Sequence, residues 1–187
     1  CPERTDIRPN SVDEILFTLP FQPQQTLKVA LISSNIAKKG IADFLAVARL
    51  VAAENRPVQF CLIGPPTQDL HLTRPWPETV EFRGYAASPN AALAQADIVL
   101  SLSKFAESFG RTVLEAMAAS RPVICYDRGA PPSLVESGIS GFVVPADQPQ
   151  AVANAILALD AARGQLLKMG QAARCRARVF QDQAQQA

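Results

Sequence analysis

The sequence predicts an α/β fold: a Rossmann-like parallel sheet of about six strands with helices on both faces. Six short, almost unbroken apolar segments alternate along the chain with segments whose apolar residues repeat at helical spacing. Strands that are apolar on both sides need cover on both faces, as in parallel sheets whose strands are connected by helices. The 187 residues, 48% apolar and 19% charged, suffice for one soluble globular domain with a substantial core.

The elements follow one another in a regular order. Residues 1–26 contain four of the fifteen prolines and no sustained period, and are interpreted as an interdomain connector. The domain proper is predicted to span residues 27–180, and the Gln-rich tail 181–187 is expected to fray. The predicted strands are 27–32, 58–63, 79–82, 97–102, 122–126 and 141–144. The predicted helices begin near residues 41, 91, 108, 151 and 165.

The most informative stretch is the strand, turn and helix at residues 97–119. Ser108 is a good N-cap, and Gly110 allows a ligand to approach the backbone. The amides of Phe109, Gly110 and Arg111 would then be the unpaired donors of the first helical turn. Such a helix end attracts anions, and phosphates above all.

Two carboxylates flank this helix end, Glu107 before it and Glu115 within it. Glu115 lies about 10 Å along the helix axis from Ser108. A carboxylate repels phosphate, so if both glutamates face the ligand they must accept hydrogen bonds from neutral hydroxyls on either side of the phosphates. A nucleoside diphosphate sugar has this layout. The spacing alone is equally consistent with a helix that has a favourable acidic start and a solvated Glu115.

Composition excludes several other classes of protein. Lys and Arg number 18 against 17 Asp and Glu, so no basic excess suggests nucleic acid, although Arg174, Arg176 and Arg178 cluster near the end. There is no long apolar run, no nicotinamide or P-loop glycine motif, and no Asp-x-Asp pair that would suggest a metal. Both methionines are internal, so the chain is expected to begin inside a longer protein.

The cysteines and the single histidine have unremarkable contexts. Cys61, Cys125 and Cys175 occur in apolar or helical patterns and Cys1 is terminal, so we expect buried or incidental thiols rather than disulfides or a zinc site. His71 lies in a proline-rich excursion and is expected at the surface.

Seven short motifs follow one another in a fixed order along residues 27–180. They are KG at 39–40, FRGY at 82–85, ADIVLSLS at 96–103, ESFGRTVLEAMA at 107–118, RPVI at 121–124, GAPP at 129–132 and GISGFVV at 138–144. Together these motifs resemble a known family, the nucleotide-sugar (C-terminal) half of retaining GT-B glycosyltransferases of family 4. Residues 7–13 are similar to the segment that enters this half from the other one.

The resemblance implies roles for individual residues. Glu107 would contact hydroxyls of the donor sugar as the catalytic residue, and Glu115 would hold the ribose. Backbone amides at Phe109 and Gly110, with Ser108 and Arg111 beside them, would meet the diphosphate. The remaining donor-binding positions would be Lys39 and Ser34 at the phosphates, and Arg83, Gly84 and Tyr85 at the base.

The sequence departs from the family pattern at two places. Ser33 and Ser34 stand where the family usually has Gly-Arg, so one expected phosphate cation is lost, and Lys38 or Arg111 are the candidates to replace it. Ser133 stands where the family often has Glu. These departures predict weaker donor binding.

The resemblance also implies an activity: transfer of a sugar from a nucleoside diphosphate sugar to an acceptor hydroxyl with retention, without metal or cofactor. The acceptor domain would be N-terminal and lie outside this chain, so the fragment is expected to bind but not transfer. The expected setting is bacterial polysaccharide or glycoconjugate synthesis in the cytoplasm or at the inner face of the membrane, with any membrane contact made through the other half. Two alternatives stay open: a non-catalytic nucleotide-binding module, and a GT-B relative that epimerises nucleotide sugars.

Overall fold

The structure is a computed structural model that describes residues 11–186. It contains one six-stranded sheet in the order β3-β2-β1-β4-β5-β6, in which all neighbouring strands are parallel. The strands are β1 (Leu27–Ile32), β2 (Val58–Ile63), β3 (Val80–Gly84), β4 (Ile98–Ser101), β5 (Val123–Tyr126) and β6 (Gly141–Val144). The predicted fold is confirmed. The strand order reverses between β1 and β4, and in such sheets ligands bind beyond the carboxyl ends of the strands at that point.

Helices cover both faces of the sheet. They are α1 (Ile41–Ala52), α2 (Gln68–Leu72), α3 (Pro89–Leu93), α4 (Arg111–Ala118), α5 (Pro131–Leu134), α6 (Pro149–Ala161) and α7 (Arg163–Gln186), with short 3-10 helices at Glu14–Thr18 and Ala37–Lys39. Alternate residues of β1 point to opposite faces: Leu27, Val29 and Leu31 join the core under α1 and α6, whereas Ala30 joins the core under α4.

The central helix begins later than predicted. Ser108 is exposed and makes no capping bond; the N-cap is Gly110, and α4 starts at Arg111. Gly110 has φ +88°, and a Cβ there would lie 3.1 Å from Pro131 Cγ, so glycine suits this turn on two counts. The first turn of α4 is therefore positioned by its packing against α5 rather than by a side-chain cap.

The chain end is also more ordered than predicted. The tail expected to fray from Gln181 instead continues α7 to Gln186, and the Gln181 side chain is buried. Its amide accepts from Val12 N at 3.0 Å and donates to Val12 O at 2.9 Å. The tail is held because it pairs with a segment that is distant in sequence.

Part of the predicted connector packs on the domain. Val12, Leu16 and Phe17 are buried in the core beneath α4 and α7. Arg178 pairs with Glu14 at 2.7 Å, and Arg174 donates to the carbonyl of Leu19. The basic cluster on α7 therefore fastens this segment. The connecting role itself stays a prediction, and residues 1–10 of that segment lie outside the described part of the chain.

The remaining side-chain predictions agree with the structure where it describes them. Cys61 and Cys125 are buried free thiols, Cys175 is an exposed free thiol, and Cys1 lies outside the described residues. His71 is exposed on α2. In residues 11–186 there is no helix with the length and apolar character needed to cross a membrane.

Candidate functional site

A cavity of about 570 Å³ opens at the carboxyl ends of the strands, at the point where the strand order reverses. The loops after β1, β2, β3 and β4 contribute to it, together with the first two turns of α4. Its polar lining residues are Ser33, Ser34, Lys39, Tyr85, Ser88, Ser101, Ser103, Glu107, Thr112 and Glu115. From β3 to β4 the sheet spans three strand spacings, about 14 Å, so the cavity can hold an elongated ligand lying across the strand ends.

Glu107 is held at the β4 side of the cavity by two donors on one carboxylate oxygen. Lys39 Nζ lies 2.7 Å from Glu107 Oε1, and the buried Ser103 donates its hydroxyl to the same oxygen. The Glu107 carbonyl accepts from Ala130 N at 2.9 Å. A Cβ on Gly129, whose φ is +69°, would lie 2.5 Å from Glu107 N, so only glycine allows this loop to approach so closely.

These contacts keep Glu107 ionised. Burial acts to raise the pKa of its carboxyl, but the hydrogen bonds from Lys39 and Ser103 and the charge of Lys39 outweigh it, so the pKa lies below its ordinary value. Oε2 accepts no hydrogen bond from the residues that the structure describes. The arrangement presents a fixed carboxylate that can accept hydroxyl donors.

Glu115 lines the same cavity from α4. Its side chain is 13% exposed and accepts from Arg111 Nε, one turn earlier, at 3.0 Å. Burial raises the pKa of the Glu115 carboxyl, and Arg111 offsets only part of that rise. The alternative of a solvated Glu115 is therefore wrong: both glutamates face one cavity, and their pKa values are shifted in opposite directions.

The start of α4 offers unpaired donors. Val113 N and Leu114 N both donate to Gly110 O, whereas the amides of residues 109–112 donate to no backbone carbonyl in the described chain. These amides and the positive end of the helix dipole lie next in sequence to Glu107. The amide donors expected at Phe109, Gly110 and Arg111 are therefore present, and the N-cap, two residues later than predicted, adds the amide of Thr112.

Positive charge at the cavity is scarce. Lys39 is the one lysine or arginine among the described residues that line it. Ser34 lines the cavity at the position where an arginine was expected. The two residues predicted to replace that arginine, Lys38 and Arg111, do not line the cavity. The Lys38 ammonium lies 5.0 Å from the centre of the Phe105 ring, and Arg111, whose side chain is 72% exposed, pairs with Glu115.

The loop after β3 was predicted to line the base, and only part of it reaches the cavity. Tyr85 lines it while remaining 79% exposed. Arg83 instead pairs with Glu81 at 2.8 Å, and Gly84 is not in the lining. The lining continues beyond Tyr85 through residues 86–89, which the sequence argument did not include. Ser108, Phe109 and Gly110 also lie outside the lining.

The sequence did not identify Ser103 as a site residue, nor the ion pairs of the neighbouring Lys104 and Arg128. Lys104 bonds the carboxylate of Asp43 and lies 2.8 Å from that of Asp147, which in turn pairs with Arg128 at 2.5 Å. Arg128 also donates to the Ser103 carbonyl at 3.1 Å. The one available signal was a serine directly after the apolar strand, four residues before Glu107.

Comparison with known proteins places this geometry in a family. The poly(ribitol-phosphate) α-N-acetylglucosaminyltransferase of Staphylococcus aureus (strain COL) is 28% identical over 126 residues, which are 62% of this chain and 24% of that enzyme. The chain thus spans about a quarter of the length of this curated relative.

Two solved structures share the fold. Anabaena HepE in complex with UDP-glucose matches with a TM-score of 0.77 at 24% identity, over 94% of this chain and 55% of that one. The C-terminal domain of a Francisella tularensis glycosyl transferase group 1 family protein, LpcC, matches with a TM-score of 0.74 at 21% identity, over 90% of this chain and 97% of that one. The family model for glycosyl transferases group 1 matches residues 27–161, and the chain therefore belongs to that family.

Proposed function

We propose that this chain is the donor-binding, C-terminal half of a retaining GT-B glycosyltransferase of family 4. It would bind a nucleoside diphosphate sugar in the cavity at the strand ends. The observation that carries the proposal is the position of Glu107 and Glu115 on one cavity, with Lys39 and the start of α4 beside them. Two carboxylates suit the hydroxyl-bearing ends of the ligand, and the cation with the helix amides suits its phosphates.

The order of the strands supports an orientation for the donor. The loop after β3, with Tyr85, lies toward one edge of the sheet, whereas Glu107 follows β4 and contacts the loop after β5. The base would lie on the Tyr85 side, the ribose near Glu115, and the sugar near Glu107. The UDP-glucose bound in the HepE structure, which shares the fold, supports a ligand of this class.

The chemistry would need no nucleophile from this chain. The bond from the anomeric carbon to the diphosphate oxygen breaks as the acceptor oxygen bonds to the same face. The proton of the acceptor hydroxyl passes to the departing phosphate. Lys39 and the α4 amides would stabilise the negative charge that develops on the diphosphate, without metal or cofactor. Glu107, kept ionised by Lys39 and Ser103, would position the sugar through its hydroxyls.

The acceptor would be bound by another domain of a longer protein. The match to nearly all of an isolated C-terminal domain, and to about a quarter of a curated transferase, supports this division of labour. The isolated chain would then bind donor without transferring it. The S. aureus relative acts on a poly(ribitol-phosphate), which supports a role in bacterial polysaccharide or glycoconjugate synthesis. Within the same proposal, that role would lie in the cytoplasm or at the inner face of the membrane.

A thermal-shift series tests donor binding. The chain is melted with UDP, GDP, ADP and the matching nucleosides, because a ligand that binds only the folded state raises the melting temperature by mass action. One diphosphate should stabilise the chain well above its nucleoside, and Glu115→Ala should reduce that gain. If neither a diphosphate nor its nucleotide sugar shifts the melting temperature, the proposed donor site is wrong.

A second experiment separates transfer from the alternatives. In the protein that includes the acceptor domain, donor hydrolysis or transfer identifies a transferase, and donor conversion without acceptor identifies an epimerase. Binding without either reaction identifies a silent module. For a transferase, Glu107→Gln should lower turnover far more than it changes nucleotide affinity, because the partner of Glu107 is the reacting sugar.

A further inference from the structure

Lys39 and Glu107, which both line the cavity, form an ion pair with each other. Their side chains are 25% and 19% exposed, and Nζ lies 2.7 Å from Oε1. Lys39 is the sole cation in the cavity lining of the described chain. A phosphate that enters can use this cation only by drawing it away from Glu107.

Of the two partners, Glu107 is the fixed one. Its carboxylate keeps the hydrogen bond from the buried Ser103, and its backbone is held by Ala130. Lys39 ends a short 3-10 helix, and its ammonium lies 4.9 Å from the centre of the Phe105 ring, a partly exposed platform. Its four-carbon side chain is flexible, so Lys39 moves when the pair separates.

The charges that line the cavity oppose a bare polyanion. One cation faces the two carboxylates of Glu107 and Glu115. A ligand that brings hydroxyls can replace Lys39 as the donor to Glu107, and Oε2 offers a further acceptor that no described residue uses. Lys39 is then available to the phosphates of the same ligand. A nucleoside diphosphate without a sugar separates the ion pair but has no sugar hydroxyl to replace Lys39 as a donor to Glu107.

We propose that the Lys39–Glu107 pair makes this site discriminate between an intact nucleoside diphosphate sugar and the bare nucleoside diphosphate. The inference rests on the proposed donor site and adds a specificity role to it. While the sugar is attached, Glu107 accepts its hydroxyls and Lys39 binds the diphosphate. Once the sugar has left, Glu107 recaptures Lys39, which loosens the hold on the product.

Calorimetry with UDP and UDP-glucose, or the equivalent pair for the base selected by the thermal-shift series, tests this. In Glu107→Gln the bare diphosphate should bind roughly threefold to tenfold more tightly, since no ion pair has to separate. The sugar-bearing nucleotide should gain nothing, because its hydroxyls lose their carboxylate partner. Glu54→Gln, which removes an equal charge from an exposed turn just after the C-terminal end of α1, should change neither affinity.

A Lys39→Met background separates competition for the cation from simple repulsion by Glu107. Competition predicts that Glu107→Gln tightens diphosphate binding less when Lys39 is absent. An equal gain in both backgrounds would overturn the proposal, as would no gain in the single variant.

Glu107→Asp, which retracts the carboxylate by one methylene, should give a smaller gain of the same sign and serves if the Gln variant does not fold. If the wild-type chain binds neither nucleotide, the donor site itself is wrong; if it binds both and Glu107→Gln changes nothing, only the discriminating role is wrong.

Discussion

Arg111 Nε donates to Glu115 Oε1 across one turn of α4, at 3.0 Å, although Arg111 is largely exposed and Glu115 largely buried. The pair places a guanidinium on the outer side of a carboxylate that lines the cavity. Burial raises the pKa of Glu115, and Arg111 limits the rise. Arg111 thus helps to keep Glu115 ionised, the form in which both carboxylate oxygens accept hydrogen bonds.

Arg111→Met should therefore raise the pKa of Glu115 further, which NMR titration of its side-chain carboxyl carbon would measure. In the folded chain Glu115 then binds its proton more tightly than in the unfolded chain. Its contribution to stability is present at low pH and is lost as pH rises above the unfolded pKa through the folded one. That loss should be larger in Arg111→Met, with Arg111→Lys as the charge-conserving control. An unchanged pKa would mean that the pair is not made in solution.

Glu115 should also determine the preference for ribose. A shielded hydrogen bond to a carboxylate contributes about 1.5 to 3 kcal/mol, so a 2′-deoxy nucleoside diphosphate should bind correspondingly worse than the ribo form. In Glu115→Ala the ribo and 2′-deoxy nucleotides should bind almost equally. Comparing the two ligands in the two proteins isolates the contact between Glu115 and the 2′-hydroxyl. If calorimetry gives the same ribo preference in both proteins, Glu115 does not contact the 2′-hydroxyl.

Position 34 should respond to added charge. Ser34 is exposed and lines the cavity, which has a single cation within the described chain. Ser34→Arg should tighten binding of the nucleoside diphosphate more than of the nucleoside, with a gain that shrinks as salt rises. Gln171→Arg, an equal charge on the exposed face of α7, should leave both unchanged. Equal gains for the two ligands would place the arginine away from the phosphates.

The contact between Gln181 and Val12 should stabilise the whole domain. Gln181→Ala leaves a buried backbone donor and acceptor without partners, so the free energy of unfolding should fall by about 1 to 3 kcal/mol. Gln183→Ala, on the exposed side of the same helix, should change it by less than about 0.5 kcal/mol. Chemical denaturation measures both. Similar values for the two variants would show that the segment at Val12 is not anchored by Gln181.

The features that could be predicted from the sequence are those that depend on local residue patterns, namely most strands and helices and the site residues near them. Five of the six strands are nearly unbroken apolar runs, so the sheet could be predicted with its five longer or periodic helices, but not the short α2 and α5. Of the predicted site residues, Glu107, Glu115, Lys39, Ser34 and Tyr85 all line the cavity. What could not be predicted depends on residues brought together by the fold. Gln181 looks like part of a fraying polar tail until Val12, 169 positions earlier, is placed beside it.

The same reason explains the errors at the start of α4 and at the phosphate cations. Ser108 has the chemistry of an N-cap, but the turn is determined by Gly110 against Pro131. Arg111 was a plausible phosphate ligand by sequence, yet it turns to Glu115. Ser103 was ordinary in the sequence and became informative only when its hydroxyl was seen on Glu107.

The central claim, that a nucleotide sugar lies between Glu107 and Glu115, is tested most directly by an NMR titration of the ¹⁵N-labelled chain with the nucleotide sugar whose diphosphate stabilises the chain most. We expect the largest amide shifts at residues 33–34, 86–88 and 109–112. A second cavity of about 400 Å³, lined by residues 23–25, Arg56, Pro57, Asp160, Arg163 and Leu167, provides the contrast. Shifts concentrated there, with none at residues 109–112, would contradict the proposed donor site.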